Sequence, residues 1–213
     1  MNQDSHLVLA GGGHSHALLL RMWAMQPRRR PKGLITLVNR SSTSLYSGMV
    51  PGLVAGIYLQ EELSFDLHKL SNQAGVALVI AEIIGLDTNH RLLHLADRPA
   101  LGYDKLSLNV GCITPKSTPS NTIGLGIKPL EPTLQRLKQE PARPIHLTGS
   151  GLAAIELSLA LRHRWPNCPV RLHSKQSRLI KAFQAALKKA GVELRPSSQD
   201  QSQKDNQLHL LCT

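Results

Sequence analysis

The sequence predicts an α/β chain of two parallel-sheet units, the first carrying an inserted antiparallel β-hairpin or meander. Three observations predict it. Leu7-Val8-Leu9-Ala10 runs into Gly11, Gly12 and Gly13 and then into a helix-forming, wide-faced apolar stretch from Ala17 to Trp23. A second copy starts at Ile145-His146-Leu147-Thr148, passes Gly149-Ser150-Gly151, and continues as a helical run through Leu161. Between them, two apolar runs flank Asp87-Thr88-Asn89-His90, a turn signal of the kind that joins antiparallel strands.

Each glycine turn feeds a strand into a helix. That arrangement lets backbone N–H groups approach a phosphate, with the partial positive charge of the helix N-terminus behind them. Gly11 and Gly13 fit the first two glycines of the dinucleotide fingerprint, and His16 stands where a third small residue is expected. Alone, this turn reads equally well as a strand–helix junction without a ligand. The second turn is G-x-G-x-x-A, with Ala154 third and Glu156 two residues on, and two copies in one chain favour two nucleotide sites. The fold class expected is therefore α/β with two Rossmann-like dinucleotide-binding units.

In order along the chain, Arg28-Arg29-Arg30 before Pro31 reads as a charged loop, and residues 33–39 as the second strand. Asn39 ends that strand where such folds place an acid on the ribose hydroxyls; Arg40 follows it. Residues 45–53 hold two glycines and a proline and read as a turn-rich loop, not a helix interior. A short helix is expected around residues 66–73. Residues 76–84 and 91–95 are expected to pair as a hairpin, and residues 103–111 to return as a buried strand. The Pro-, Ser- and Thr-rich stretch 114–143 reads as a connection with a helix at 130–139. In the second unit, residues 169–173 form the next strand. His173, Lys175 and Arg178 replace the usual acid, and either take a 2′-phosphate or form a solvated turn. Residues 177–190 are helical with Gly191 as the stop, 192–194 form a strand, and 208–211 a short apolar end.

Composition bounds the partners. The net charge is +11 and unevenly placed: residues 1–106 carry 10 basic and 8 acidic side chains, residues 107–213 carry 15 and 6. The basic half suits nucleic acid, anionic lipid or nucleotide phosphates, or simply a solvated surface. Aromatic residues are only 3%, too few for base-stacking platforms. Cys112, Cys168 and Cys212 form no C-x-x-C pair, which suits a reducing compartment and argues against a structural zinc site. No metal site is expected, because His14 and His16 are not spaced for one helical face.

Gly11-Gly12-Gly13-His14-Ser15-His16 and Tyr46-Ser47-Gly48-Met49-Val50-Pro51-Gly52, with the strand at 103–111 and the second turn, occur in an order that resembles the FAD-dependent pyridine nucleotide-disulfide oxidoreductase superfamily. Within it the chain is most similar to type II NADH dehydrogenase-like flavoproteins, in the form fused ahead of selenide, water dikinase. The resemblance implies an FAD-binding domain at 1–125 lacking its C-terminal return segment, a linker at 126–143, and a partial NAD(P)H-binding domain at 144–213. It places Gly11, Gly13 and His14 at the FAD pyrophosphate, with Gly12, Ser15 and His16 also cofactor-binding, and Asn39 and Arg40 near the ribose and adenine. Tyr46, Ser47, Gly48, Met49 and Pro51 fall near the flavin, Gly111 near the dinucleotide, and Gly149, Gly151 and Glu156 in the NAD(P)H domain.

The implied activity is hydride transfer from NAD(P)H to FAD and on to an acceptor such as a quinone, in a cytoplasmic protein able to sit at a membrane surface. No side-chain acid or base is assigned. The superfamily's C-x4-C pair is absent, since no cysteine precedes Cys112, and this excludes thiol–disulfide catalysis. The chain ends while still inside its second nucleotide unit, so it reads as a truncation. On that reading the strand at residues 6–10 lacks a ladder partner on one side, which weakens FAD binding and turnover and favours self-association. A non-catalytic nucleotide-binding module and, less well supported, a basic nucleic-acid-binding protein stand as the other readings.

Overall fold

β1 (His6–Ala10) is hydrogen-bonded on both sides. On one side lies β2 (Leu34–Asn39), in register from His6 opposite Leu34 to Ala10 opposite Val38. On the other lies β9 (Lys105–Leu108), with Leu7 opposite Lys105. β5 (Ala77–Ile80) extends the sheet beyond β2, so the parallel order is β5-β2-β1-β9. These strands belong to a computed structural model that describes residues 5–113, 124–128, 130–139, 144–175, 177–196 and 208–212. The chain divides into two units, Met1–Ser47 with Gln60–Gly111, and Gly48–Leu59 with Cys112–Thr213.

The first sheet is apolar on both faces, which is why its strands read as continuous hydrophobic runs. Leu9, Ile35 and Leu37 face α1 (His14–Met25) and α3 (Leu67–Ala74), packing with Ala17, Leu20, Trp23, Leu67 and Ala74. Burying each such Leu, Ile or Trp side chain contributes about 1.5–3 kcal/mol. Val8, Ala10 and Val38 face the other way, onto Leu93 and Leu95 of an antiparallel meander. That meander is β6 (Ile83–Asp87), β7 (Leu92–Leu95) and β8 (Arg98–Gly102). Asp87 makes its turn by accepting the backbone N–H groups of Asn89 and His90, both at 2.9 Å.

Three expectations change here. The apolar run at 76–84 is not one hairpin arm. It divides at Ala81-Glu82 into β5, which joins the parallel sheet, and β6, which starts the meander. A β-branched run encodes extension but not its partner. Second, β1 does not lack a neighbour, because the strand expected at 103–111 supplies β9 beside it; among the described residues the sheet's edges are the outer sides of β9 and β5. That strand is also only half-buried, with Leu108 58% exposed. Third, the segment 45–53 is not all loop. A 3-10 turn at Ser47–Met49 leads into α2 (Val50–Ala55). Pro51 lies in its first turn, where no backbone N–H is needed, and Gly56 ends it with φ +80°. Buried Val50, Leu53 and Val54 hold the helix in place despite Gly52.

The second unit is a five-stranded, fully parallel sheet in the order β10-β14-β11-β12-β13. Its strands are β10 (Gly124–Gly126), β11 (Ile145–Thr148), β12 (Val170–Ser174), β13 (Val192–Pro196) and β14 (Leu208–Leu211). Among the described residues its helices are α4 (Leu130–Gln139), α5 (Leu152–Arg164) and α6 (Arg178–Lys189), together with α2. The helix expected at 130–139 is present. The apolar end at 208–211 is an interior strand between β10 and β11, not a tail. Much of the expected connection, residues 114–123 and 140–143, lies outside the described residues, as does the polar stretch 197–207.

Candidate functional site

The first glycine turn is enclosed by protein. Gly11, at φ +90°, is in the left-handed region that favours glycine, and its N–H donates to the Val38 carbonyl at 2.8 Å. A Cβ at Gly11 would run into the Asn109 carbonyl, and one at Gly12 into the Leu67 side chain. A Cβ at Gly13 would lie 2.5 Å from the Asn109 carboxamide. Asn39 holds the middle of the turn: its Oδ1 accepts the Gly12 N–H at 2.9 Å, while its Nδ2 donates to the Ser41 carbonyl at 2.8 Å. Arg40 beside it is exposed.

Gly13 is the N-cap of α1, and no side chain caps that helix. The same is true of α5, whose N-cap is Gly151. By contrast Asp66 caps α3 through the Lys69 N–H, and Ser177 caps α6 through the Ile180 N–H. The two helices entered through glycine turns thus keep first-turn donors uncapped by side chains, with no acidic residue in that turn.

His16 replaces the third small residue of the fingerprint and is 3% exposed. Its Nδ1–H donates to the Gly11 carbonyl at 2.6 Å, and its Nε2 accepts from the Ser107 hydroxyl at 2.9 Å. Because a carbonyl can only accept, the proton sits on Nδ1. Burial holds the ring's pKa below the usual histidine value, so the ring is neutral. His16 therefore joins α1, the glycine turn and β9, with both nitrogens used within the protein. Ser15 and His14 are exposed at the start of α1.

His14 stacks on Tyr46 with ring centroids 4.5 Å apart and planes 26° apart. Phe65 lies 6.0 Å from each ring. The cluster is assembled by β3 (Thr43–Leu45) pairing with β4 (Ser64–Asp66), and by the Tyr46 N–H donating to the Leu63 carbonyl at 2.8 Å. Phe65 carries no sequence signal beyond its apolar spacing with Leu63 and Leu67. Ser47 closes this part of the first unit; Gly48, Met49 and Pro51 belong to the second, at the start of α2. Gly111 ends the first unit with open space where a Cβ would stand.

In the second unit the two glycines differ. A Cβ at Gly149 would run into the Cys212 carbonyl and lie 3.0 Å from the buried Ala154 methyl. A Cβ at Gly151 would meet nothing within 4 Å. Gly149 is thus required by packing, and Gly151 faces open space at the start of a helix. Ser150 ties the turn to the end of β12: its Oγ accepts the Lys175 N–H at 2.8 Å. His173 is buried and its ring is hydrogen-bonded to His146 at 3.0 Å, so it is not presented to a phosphate. Lys175, Arg178 and Glu156 are exposed. Burial raises the Cys168 thiol and pushes Cys212 up to about 12, so neither is the thiolate that thiol chemistry requires.

No protein-family profile matches the chain. Solved structures do. The water-forming NADH oxidase of Lactobacillus brevis bound to NADH superposes with a TM-score of 0.68 at 17% identity, over 98% of this chain and 53% of that one. Reduced CoADR-RHD of Bacillus anthracis gives 0.77 at 16%, over 98% and 43%. NDH2 of Plasmodium falciparum in complex with NADH gives 0.70 at 10%, over 99% and 55%. The likeness is one of fold. The chain spans about half the length of these structures.

Proposed function

We propose that the chain is an FAD-dependent NAD(P)H oxidoreductase of the NADH dehydrogenase-like kind, with FAD on the first glycine turn and NAD(P)H on the second. The observation that carries this reading is the pair of helices without side-chain caps, each entered through glycines at the carboxyl end of an interior strand of a parallel sheet. The fold shared with an NADH oxidase and an NDH2, both with NADH in their structures, supports it.

In this reading Gly11, Gly12 and Gly13 let the backbone approach the FAD diphosphate, with the first-turn donors at His14 and Ser15. His16 keeps α1 against the turn. Asn39 and Arg40 border the adenosine side, and Tyr46, Ser47 and Gly111 border the rest of the cofactor. Gly151 receives the NAD(P)H diphosphate, Gly149 makes room for the strand below, and Glu156 lies along α5. When bound, the flavin supplies hydride acceptance from the nicotinamide and electron release to an acceptor. The chain's own part is to bind, orient and exclude water. An acceptor such as a quinone would bring the chain to a membrane surface; among the described residues no helix is long and apolar enough to cross one.

The deciding experiment is the absorbance spectrum of the purified chain followed by NADH and NADPH oxidation with a short-chain quinone. Flavin absorbance and acceptor-dependent oxidation are expected. A colourless chain that binds adenine nucleotides but cannot be loaded with FAD would replace this reading with a non-catalytic binding module.

A further inference from the structure

Asn109 lies immediately after β9, and its N–H donates to the Ala10 carbonyl at 2.7 Å. Its carbonyl closes over Gly11. Its carboxamide lies flat against Gly13, with Cγ, Oδ1 and Nδ2 all 2.5–2.6 Å from where a Cβ on that residue would stand. Nδ2 is buried and has no hydrogen-bond acceptor. A buried amide NH2 without an acceptor keeps its full desolvation cost, and folded proteins carry few such groups. The helix beside it starts without a side-chain cap or an acidic first-turn residue. The carboxamide lacks an acceptor, and the helix start beside it lacks a side-chain cap.

We infer that Asn109 is a positioning residue that donates its side-chain N–H to the diphosphate of the ligand at the first glycine turn. The inference rests on the reading of that turn as a dinucleotide site. A rotation about χ2, a broad two-fold torsion, re-aims the NH2 without moving the backbone. Ligand-free protein then holds a donor whose acceptor arrives with the ligand, so the group costs stability and contributes affinity.

Asn109→Ala and Asn109→Asp in the full 213-residue chain test this, with FAD, ADP and adenosine as probes and the ligand-free unfolding midpoint as a second readout. Asn109→Ala should weaken FAD and ADP roughly tenfold, the effect of one hydrogen bond to a charged group. Asn109→Asp, which faces the diphosphate with a like charge, should weaken them on the order of a hundredfold. Adenosine should bind all three proteins alike, and Asn109→Ala should melt no lower than wild type. FAD and ADP affinities equal to or tighter than wild type in Asn109→Ala would overturn the inference while leaving the dinucleotide reading intact. So would equal weakening of all three probes with a lowered midpoint, which marks a purely structural side chain. A wild-type chain that binds ADP but not FAD would overturn the FAD reading and leave the Asn109 test in force. Binding of neither overturns both.

Discussion

His16 Nε2 stands 2.9 Å from Ser107 Oγ, across 91 residues of sequence, while the other ring nitrogen holds the Gly11 carbonyl. One buried ring thus fastens the first helix, the glycine turn and β9. His16→Ala removes it and leaves a carbonyl and a hydroxyl without their partner. The expected loss is ~2–4 kcal/mol of unfolding free energy, from the cavity and the unpaired groups together. Urea denaturation should show a lower midpoint at unchanged slope; a loss below ~0.5 kcal/mol would show that the bridge is not made.

The same ring sets a pH dependence. Burial lowers its folded pKa, whereas the unfolded side chain titrates near 6.5. Its contribution is therefore complete above 6.5 and is lost as the pH falls from there towards the folded value, because the unfolded chain takes up the proton first. Unfolding free energy measured from pH 7.5 down to 5 should fall with a component that His16→Gln lacks. Equal slopes in the two proteins would contradict a neutral, buried His16.

The two glycines of the second turn should behave oppositely. Gly149→Ala drives a methyl into the Cys212 carbonyl and should cost at least ~1–3 kcal/mol. Gly151→Val enters open space at the N-cap of α5 and should cost only the poorer cap, about 0.5–1 kcal/mol, yet weaken NADH and NADPH. Calorimetry with each nucleotide checks this, and unaltered affinity in Gly151→Val would move the nucleotide away from that turn.

At the first turn, Gly13→Val places a side chain against the Asn109 carboxamide. The Asn109 side chain can give way, so the fold should survive with a loss of ~1–3 kcal/mol while FAD binding is abolished. Retention of flavin through gel filtration by a folded Gly13→Val protein would refute the site.

Asn39→Asp keeps an acceptor for the Gly12 N–H but turns a carboxylate oxygen on the Ser41 carbonyl in place of the donating NH2. Two acceptors then face each other, and a loss of ~1–3 kcal/mol is expected in the ligand-free chain. An Asn39→Asp protein as stable as wild type would mean that the Asn39 amide does not hold the turn.

What the sequence determined by itself is what neighbouring residues decide together. The glycine turns, the Asp87 turn and the stop at Gly191 each depend on a few consecutive positions, so they were legible there. Tertiary structure alone decided which extended segments pair. Residues 76–84 carry nothing that divides them between two sheets, and residues 208–211 nothing that marks an interior strand, because ladder partners lie far away in sequence. The same limit applies at the site. His16 reads as a misfit in the fingerprint until Ser107 is brought to its far side, and Asn109 reads as an ordinary strand end until Gly13 closes against it. Local signals record backbone conformation at short range; the partners of a buried polar group are set by packing at long range.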